Sequence, residues 1–415
     1  MPTSVTASPE IESGRRRSIA FLNWAHAIDH FVLLIYPTVV IGLEVIYKRP
    51  YSELIALSTA AFVAFGVFSL PAGWLADRWS RRNMMVVFYI GCGISLIAAG
   101  FAPNLTVLAV ALFFLGICAA IYHPVGMAML IEISNARGRT MAFNGVCGNL
   151  GVALAAAISA ALAEWIGWHA AFAIPGVICM ITGFVYLLTV PNDHVHGQKR
   201  KATAQVPLTA QAMVIMFALY LVISVTSGLT FNTLLIAVPK IVDEKIGADV
   251  PLIMVGGVAT AVFLCGALGQ MLVGRLLDRF IPALLFIAVV VLQVLGCLWA
   301  ATTTGLPLVI GLAVTMVGIY AQVTVGDIVI ARYTADAWRG RVYAVRYFLT
   351  FIAAGAAVQV IKNLHEHGGF DLVLWAMVAT TIVLLVAVVG FAVLVLSMEA
   401  KQRAAAASPV IQPAE

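Results

Sequence analysis

Apolar stretches long enough to cross a bilayer as helices follow one another along this chain with little between them. They fall near 19–43, 53–76, 84–101, 105–131, 141–163 and 169–190, then near 210–238, 250–277, 283–301, 305–331, 342–362 and 371–397. A crossing needs about 20 apolar residues, so twelve use about 240. The remainder supplies short loops and two tails, 1–17 and 399–415, which leaves no room for a soluble catalytic domain. The longest connection, 191–208, is polar, basic and proline-containing, and it divides the stretches six and six. It reads as a linker between an N-terminal six-helix bundle over 18–190 and a C-terminal one over 209–398. The expected fold is an all-α polytopic membrane protein, with twelve transmembrane helices in two pseudo-symmetric bundles.

Composition agrees. With 62% hydrophobic and 10% charged residues, the chain cannot cover a water-facing surface. Disordered, disulfide-rich secreted, fibrous and nucleic-acid-binding classes are excluded. The formal net charge of +5 is scattered between apolar runs instead of forming a patch, so it reports orientation. Placing the tails and the even-to-odd connections on one face puts 18 of the 24 Lys and Arg there. Only Lys48, Arg49, Lys240, Lys245 and Lys362 fall on the other face, and Arg346 lies inside a span. The bias predicts a multi-pass protein of the inner (cell) membrane with both termini cytoplasmic. Cys92, Cys118, Cys147, Cys179, Cys265 and Cys297 all sit in apolar runs without a C-x-x-C spacing, so neither a disulfide framework nor a zinc site is implied. The first apolar stretch is charged and too long for a signal-peptide core, and it reads as a retained span.

The two halves repeat each other. GWLADRW, beginning at Gly73, returns as GRLLDRF at Gly274, matching Gly, Leu, Asp and Arg at a spacing of 201 residues. Arg137-Gly138-Arg139 returns as Arg339-Gly340-Arg341 at a spacing of 202. Two loops repeated at almost one offset predict two similar bundles facing each other across a central cavity.

Twelve spans, this repeat and the loop GWLADRWSRRN resemble the major facilitator superfamily. Gly73, Asp77, Arg78, Arg81 and Arg82 fall on its signature, with Ser80 where a second Gly is usual, and Asp278 and Arg279 repeat it. The resemblance covers residues 18–398 and implies a conformational latch on the cytoplasmic side, with Asp77 meeting the start of span 11 and Asp278 the start of span 5. The bland reading is that the arginines only set topology. The runs AAIYHPVGMA, NGVCGNLGVALAAAI and RGRVYAVRYFLTFIAAG are similar to the fosmidomycin-resistance branch, which implies export of a drug or metabolite. In many exporters of the superfamily an Arg stands where this chain has Leu112, and the span-5 glycines Gly145, Gly148 and Gly151 lack the proline of the antiporter pattern.

Ionisable groups within a span are functional candidates, because burying them in lipid costs several kcal/mol. Span 1 carries Asn23, His26, Asp29 and His30 in a sector of about 120°, since three- and four-residue steps share one helix face. That face must look into the bundle. A carboxylate beside imidazoles suits proton exchange near neutral pH, an unperturbed His titrating at about 6.5, so Asp29 is the expected proton carrier and His26 and His30 its partners. The alternatives are mutual structural satisfaction and metal chelation, the latter lacking a Cys or carboxylate cluster in another span. His123 in span 4, beside Pro124, is a candidate for proton or substrate contact, Pro124 removing a backbone donor and bending the helix. Asn144 and Asn149 in span 5, Asn232 and Thr230 in span 7, Gln270 in span 8 and Gln322 in span 10 are candidate cavity lining. Arg346, near Tyr343 and Tyr347, either clamps an anionic group or pairs with Asp77 or Asp327 as part of the latch.

No G-x-x-x-x-G-K-[ST] loop occurs, so ATP is not the expected energy source. The reading is a secondary transporter, not an enzyme, working as a monomer without cofactor or metal. It moves a small organic solute by alternating access, with efflux by proton antiport. Rivals are a proton-coupled importer of an organic anion held by Arg346, and a membrane sensor or lipid-handling protein without solute transport.

Overall fold

The computed structural model describes residues 9–134, 137–191, 210–247, 250–333 and 336–407; the linker expected over 191–208 lies almost wholly outside them. The described residues are helical throughout, in the order Pro9–Tyr47 (α1), Tyr51–Ile55 (α2), Thr59–Arg78 (α3), Arg81–Gly100 (α4), Leu105–Ala119 (α5), Met127–Ile133 (α6), Arg137–Trp165 (α7), Trp168–Thr189 (α8), Ala210–Ile246 (α9), Leu252–Leu276 (α10), Pro282–Thr302 (α11), Gly305–Tyr333 (α12) and Asp336–Ala407 (α13). Local chemistry starts several of them. Ser80 accepts from the Asn83 amide at 3.2 Å, and Asn104 from the Val107 amide at 2.9 Å, each satisfying an orphan donor of the first turn. Pro282 opens α11, where its missing amide hydrogen is not needed. All six cysteines are free.

Eleven helices of the described residues are long and apolar enough to cross a membrane. Twelve stretches were expected, and the difference lies in α13, where Phe348–Ala400 runs as one segment of 53 residues. At about 1.5 Å per residue it would reach roughly 80 Å, far more than a hydrocarbon core of about 30 Å. It is not straight: the helical backbone fails at Gly368 and Gly369, the latter at φ 61°, a region where glycine has no Cβ to clash. Contacts with α9 show what happens there. Before the break, Thr350 receives a bond from Asn232 and His365 gives one to Glu244; after it, Asp371 meets Lys245 and Gly390 lies beside Leu219. The two stretches therefore run along α9 in opposite directions, joined by a turn too short and too helical to register as a loop.

Within the first half of the chain α1 packs on α7, and α4 lies against α5 and α8; within the second, α9 packs on α13 and α12 on α10 and α11. The halves meet through α7 with α10 and α3 with α13. Helix approach is very close in places. A Cβ on Gly151 would lie 2.1 Å from the Ala27 carbonyl oxygen, so α7 touches α1 there backbone to backbone.

Bonds between the halves concentrate away from the loops that carry most Lys and Arg. Lys240 of α9 donates to Glu44 of α1, Gln359 to the Thr59 hydroxyl at 2.6 Å, and the Ile253 amide to Glu164 at 2.7 Å. Lys240 also bonds Asp243 at 2.8 Å, and its ammonium lies 5.6 Å from the Tyr51 ring centroid. At the basic end the described bonds stay within one half. Arg82 reaches the Val190 carbonyl at 3.1 Å and Arg17 that of Thr189 at 3.0 Å, cations meeting the carbonyl end of α8 where the helix dipole favours them.

Candidate functional site

The polar face of α1 is turned into the protein. Asn23 and His26 are each 8% exposed, and Asp29 is fully buried. What faces them is a single π-helical turn, Tyr122–Gly126, between α5 and α6. Pro124 sits inside it, and the widened turn is how the chain tolerates a residue without an amide hydrogen. The turn presents Tyr122 and His123 to α1.

Four ionisable side chains from the two segments converge. His123 Nε2 lies 3.3 Å from Asp29 Oδ2, and His26 Nε2 lies 3.2 Å from His30 Nε2. Neither Asp29 oxygen has a well-directed hydrogen-bond donor among the described residues, although both are buried. The His26 tautomer follows from its partner: Nδ1 is 2.8 Å from the Asn144 carbonyl oxygen, which can only accept, so Nδ1 carries the proton and Nε2 of the neutral ring has the lone pair. Asn144, fully buried in α7, also joins Asn23 at 3.0 Å and Tyr122 at 3.1 Å, and the Tyr122 ring stacks on His26 at 4.9 Å. Gly148 completes the cradle, because a Cβ there would stand 2.7 Å from the His26 ring. Phe65 of α3 and Phe351 of α13 pack 4.8 Å apart over the other side of His123, so the cluster lies where the two chain halves meet.

The remaining sequence candidates are dispersed. Asn149 donates to Gln270 at 2.6 Å across the α7–α10 contact. Asn232 bonds the Gly228 and Thr350 carbonyls, Thr230 is buried and donates to Thr226, and Gln322 is buried and receives a bond from Gln293 at 2.6 Å. Arg346 pairs with Asp327 and reaches the Val323 carbonyl at 3.3 Å, lying across Gly326. At the end of α3, Asp77 meets Arg81 at 2.7 Å, while the side chains at the start of span 11, 339–344, lie outside the described residues; Arg81 also pairs with Glu132, and the Arg78 guanidinium lies 4.2 Å from the centroid of the Trp74 ring. Gly73 approaches Pro124, with room for a Cβ only at 3.2 Å. Asp278 and Arg279 are exposed after α10, with no bond from Asp278 to α7 among the described residues. The side chains of Tyr343, Tyr347, Arg339 and Arg341 lie outside the described residues.

Some participants were not singled out from sequence. Tyr122, Phe65, Phe351 and Glu132 carry no signal of their own inside apolar runs. The group Lys240, Glu44, Asp243, Glu244 and His365 did carry one: several charges within about one turn of helix ends, which the orientation count had absorbed.

A bundle of apolar helices that buries an ionisable cluster between its halves is the plan of a multi-pass membrane carrier. The chain belongs to the Major Facilitator Superfamily, whose sequence model matches residues 19–245 and 220–412; it is thus a multi-pass membrane transporter of small solutes. It is 21% identical over 359 residues to the uncharacterized MFS-type transporter YybF of Bacillus subtilis (strain 168), covering 82% of this chain and 85% of that one. It is 29% identical over 137 residues to the 4-hydroxybenzoate transporter PcaK of Pseudomonas putida, about a third of each, 32% of this chain and 31% of that one. In fold it is similar to a bacterial homologue of the human lysosomal transporter Spinster in an inward-facing, occupied conformation, with TM-score 0.74, 14% identity and coverage of 94% and 97%. A D-xylose–proton symporter gives TM-score 0.71 at 12% identity, covering 90% and 96%.

Proposed function

We propose that this protein is a proton-coupled secondary transporter that moves a small organic solute across the inner membrane by alternating access. In this reading twelve crossings form two six-helix bundles, 18–190 and 209–398, joined by a cytoplasmic linker over 191–208, with both termini cytoplasmic and a monomer as the working unit. The observation that carries it is Asp29. A carboxyl group without exposure or a well-directed donor, 3.3 Å from an imidazole nitrogen, is poised to exchange a proton with that imidazole. His123 sits against Phe351 of the other half, so relative motion of the halves changes the surroundings of the pair. Asn23, Asn144 and His123 belong to the cluster that holds Asp29 and are the polar contacts offered there to a solute; Asn149, Asn232 and Gln322 hold protein partners away from this cluster.

Alternating access needs reversible closure at both ends. The Lys240–Glu44 pair serves one end in this conformation. At the other, Asp77, Arg78, Arg81, Arg82, Asp278 and Arg279, with the Arg346–Asp327 pair behind them, form the latch that closes when the first end opens. The proton gradient is the energy source, and no cofactor enters the cycle. Similarity of the span 4, 5 and 11 motifs to the fosmidomycin-resistance branch supports efflux by antiport, in which proton and solute alternate at Asp29. A second reading, uptake of an organic acid with a proton, is favoured by the likeness to 4-hydroxybenzoate transporters; there Arg346 leaves Asp327 to hold the carboxylate.

The test is flux in liposomes of purified protein under imposed pH gradients of either sign, over a panel that includes 4-hydroxybenzoate. Solute accumulation driven by the gradient is expected for the native protein and lost in Asp29→Asn, with solute exchange at equal pH retained. Gradient-driven accumulation that survives Asp29→Asn removes the coupling assignment, and the sign of the effective gradient decides between export and uptake.

A further inference from the structure

The convergence of His26, His30, His123 and Asp29 meets the requirements of a transition-metal site, for which the sequence offered only the span-1 residues because the third imidazole comes from a different helix. We propose that these four side chains bind one first-row divalent ion of the zinc class. The ion would occupy the same side chains as the proposed proton site, in exchange with the proton, and its binding does not depend on the direction of flux.

Three observations carry it. The first is donor geometry. The ligating nitrogens of the three histidines all lie within 4.8 Å of one another. Bonds of about 2.0–2.1 Å in a tetrahedron separate adjacent ligand atoms by about 3.3 Å; His26 Nε2 to His30 Nε2 is 3.2 Å and His123 Nε2 to Asp29 Oδ2 is 3.3 Å. Two of the six ligand edges are thus already at their bonded length, and no gap between the three histidine ligand atoms exceeds 4.8 Å.

The second is the outer shell. Metal-bound histidines almost always give their other ring N–H to a carbonyl or carboxylate, which fixes the tautomer. His26 does this with the Asn144 carbonyl at 2.8 Å, leaving Nε2 aimed at His30 with its lone pair. Asn144 is itself held by Asn23 and Tyr122, so the donor is fixed by a network as well as by its own bond.

The third is Asp29, fully buried, with two oxygens that no described donor satisfies in good geometry. A buried carboxylate beside the His123 imidazole nitrogen is stabilised by a cation held there, and its charge offsets half of a divalent ion's. Three imidazoles and one carboxylate suit zinc, cobalt or nickel, whereas calcium and magnesium require oxygen ligands and copper(I) favours sulfur. Entry is available, since the His123 side chain retains 16% exposure and His30 is half-buried. All four ligands belong to α1 and the π-helical turn, so the site does not need a particular arrangement of the two chain halves.

The test uses full-length, tag-free protein in detergent, stripped with EDTA and dialysed, titrated with Co2+ by visible absorption and with Zn2+ by calorimetry. One ion per chain is expected, with the intense d–d absorption of four-coordinate Co2+ displaced by Zn2+. His26→Gln and His123→Gln should each weaken binding at least tenfold, while His367→Gln, on an exposed histidine outside the cluster, should not change it. Size-exclusion profiles and helical circular dichroism verify folding, and His30→Gln, with the same tenfold loss expected, is read in place of a cluster variant that fails to fold. Absence of stoichiometric binding, the weak spectrum of six-coordinate Co2+, or a spectrum unchanged by the cluster variants would overturn the proposal. Gradient-driven flux that persists in EDTA together with no Co2+ band ends the metal site alone; a Co2+ band with flux unaffected by Asp29→Asn ends the coupling assignment alone.

Discussion

The closed end of the protein makes a quantitative expectation possible, because Lys240 faces three carboxylates of which only Glu44 belongs to the other half of the chain. Asp243 at 2.8 Å and Glu244 at 3.7 Å lie on its own helix. In Glu44→Gln, Lys240 keeps both of those, no charge is stranded, and only the attraction between the halves is lost. Side-chain exposures of 8% for Lys240 and 24% for Glu44 place the pair between the surface and buried regimes. A loss of about 1 kcal/mol follows, or roughly fivefold in the ratio of open to closed at this end. Lys240→Met is different: Glu44, Asp243 and Glu244 are left together, with His365 at 2.9 Å from Glu244 as the remaining partner, and the loss rises to about 3 kcal/mol, more than a hundredfold. The assay is the rate of thiol modification of Thr59→Cys, placed at the contact with Gln359, in a background with the six native cysteines replaced. Rates should increase in the order parent, Glu44→Gln, Lys240→Met, and the difference between the variants should shrink at high salt. Equal rates in all three chains would show that this cluster does not hold the end closed.

Three further outcomes follow from packing and pairing. Gly151→Val should push α7 from α1, since even a Cβ lies 2.1 Å from the Ala27 carbonyl oxygen, destabilising the protein by about 3 kcal/mol or preventing expression; Gly145→Ala, with nothing within 4 Å, should leave the melting temperature unchanged or raise it slightly. Arg346→Ala removes the pairing with Asp327 and should lower the melting temperature, and the effects of Arg346→Ala and Asp327→Ala should be non-additive, a coupling of about 1–3 kcal/mol in a double-mutant cycle; additive effects would show that the pair contributes nothing. Pro124→Ala allows a regular α-helix through span 4 and should reorient His123, read as a change in gradient-driven flux without loss of folded protein; unchanged flux would mean that the π-helical turn does not position this residue.

What the sequence determined by itself is whatever depends on spacing along one helix. The apolar stretches announce a polytopic membrane protein, the offset between Asp77 and Asp278 exposes the repeat, and the three- and four-residue steps from His26 to Asp29 and His30 force a polar stripe on α1 that has to be buried. The turn between the stretches 342–362 and 371–397 is made by Gly368 and Gly369, which reverse the chain within a run that stays helical on both sides. Everything that depends on which helix faces which came from the tertiary structure: His123 beside Asp29, the Asn144 carbonyl that sets the His26 tautomer, Phe351 over the cluster, and Lys240 across from Glu44. The physical reason is that helix period is a property of neighbouring residues, whereas the rotation and depth at which two apolar helices pack are set by small-residue contacts such as Gly148 on His26 and Gly151 on Ala27. Those contacts leave no periodic trace, and they decide whether two scattered histidines and a distant third become one site.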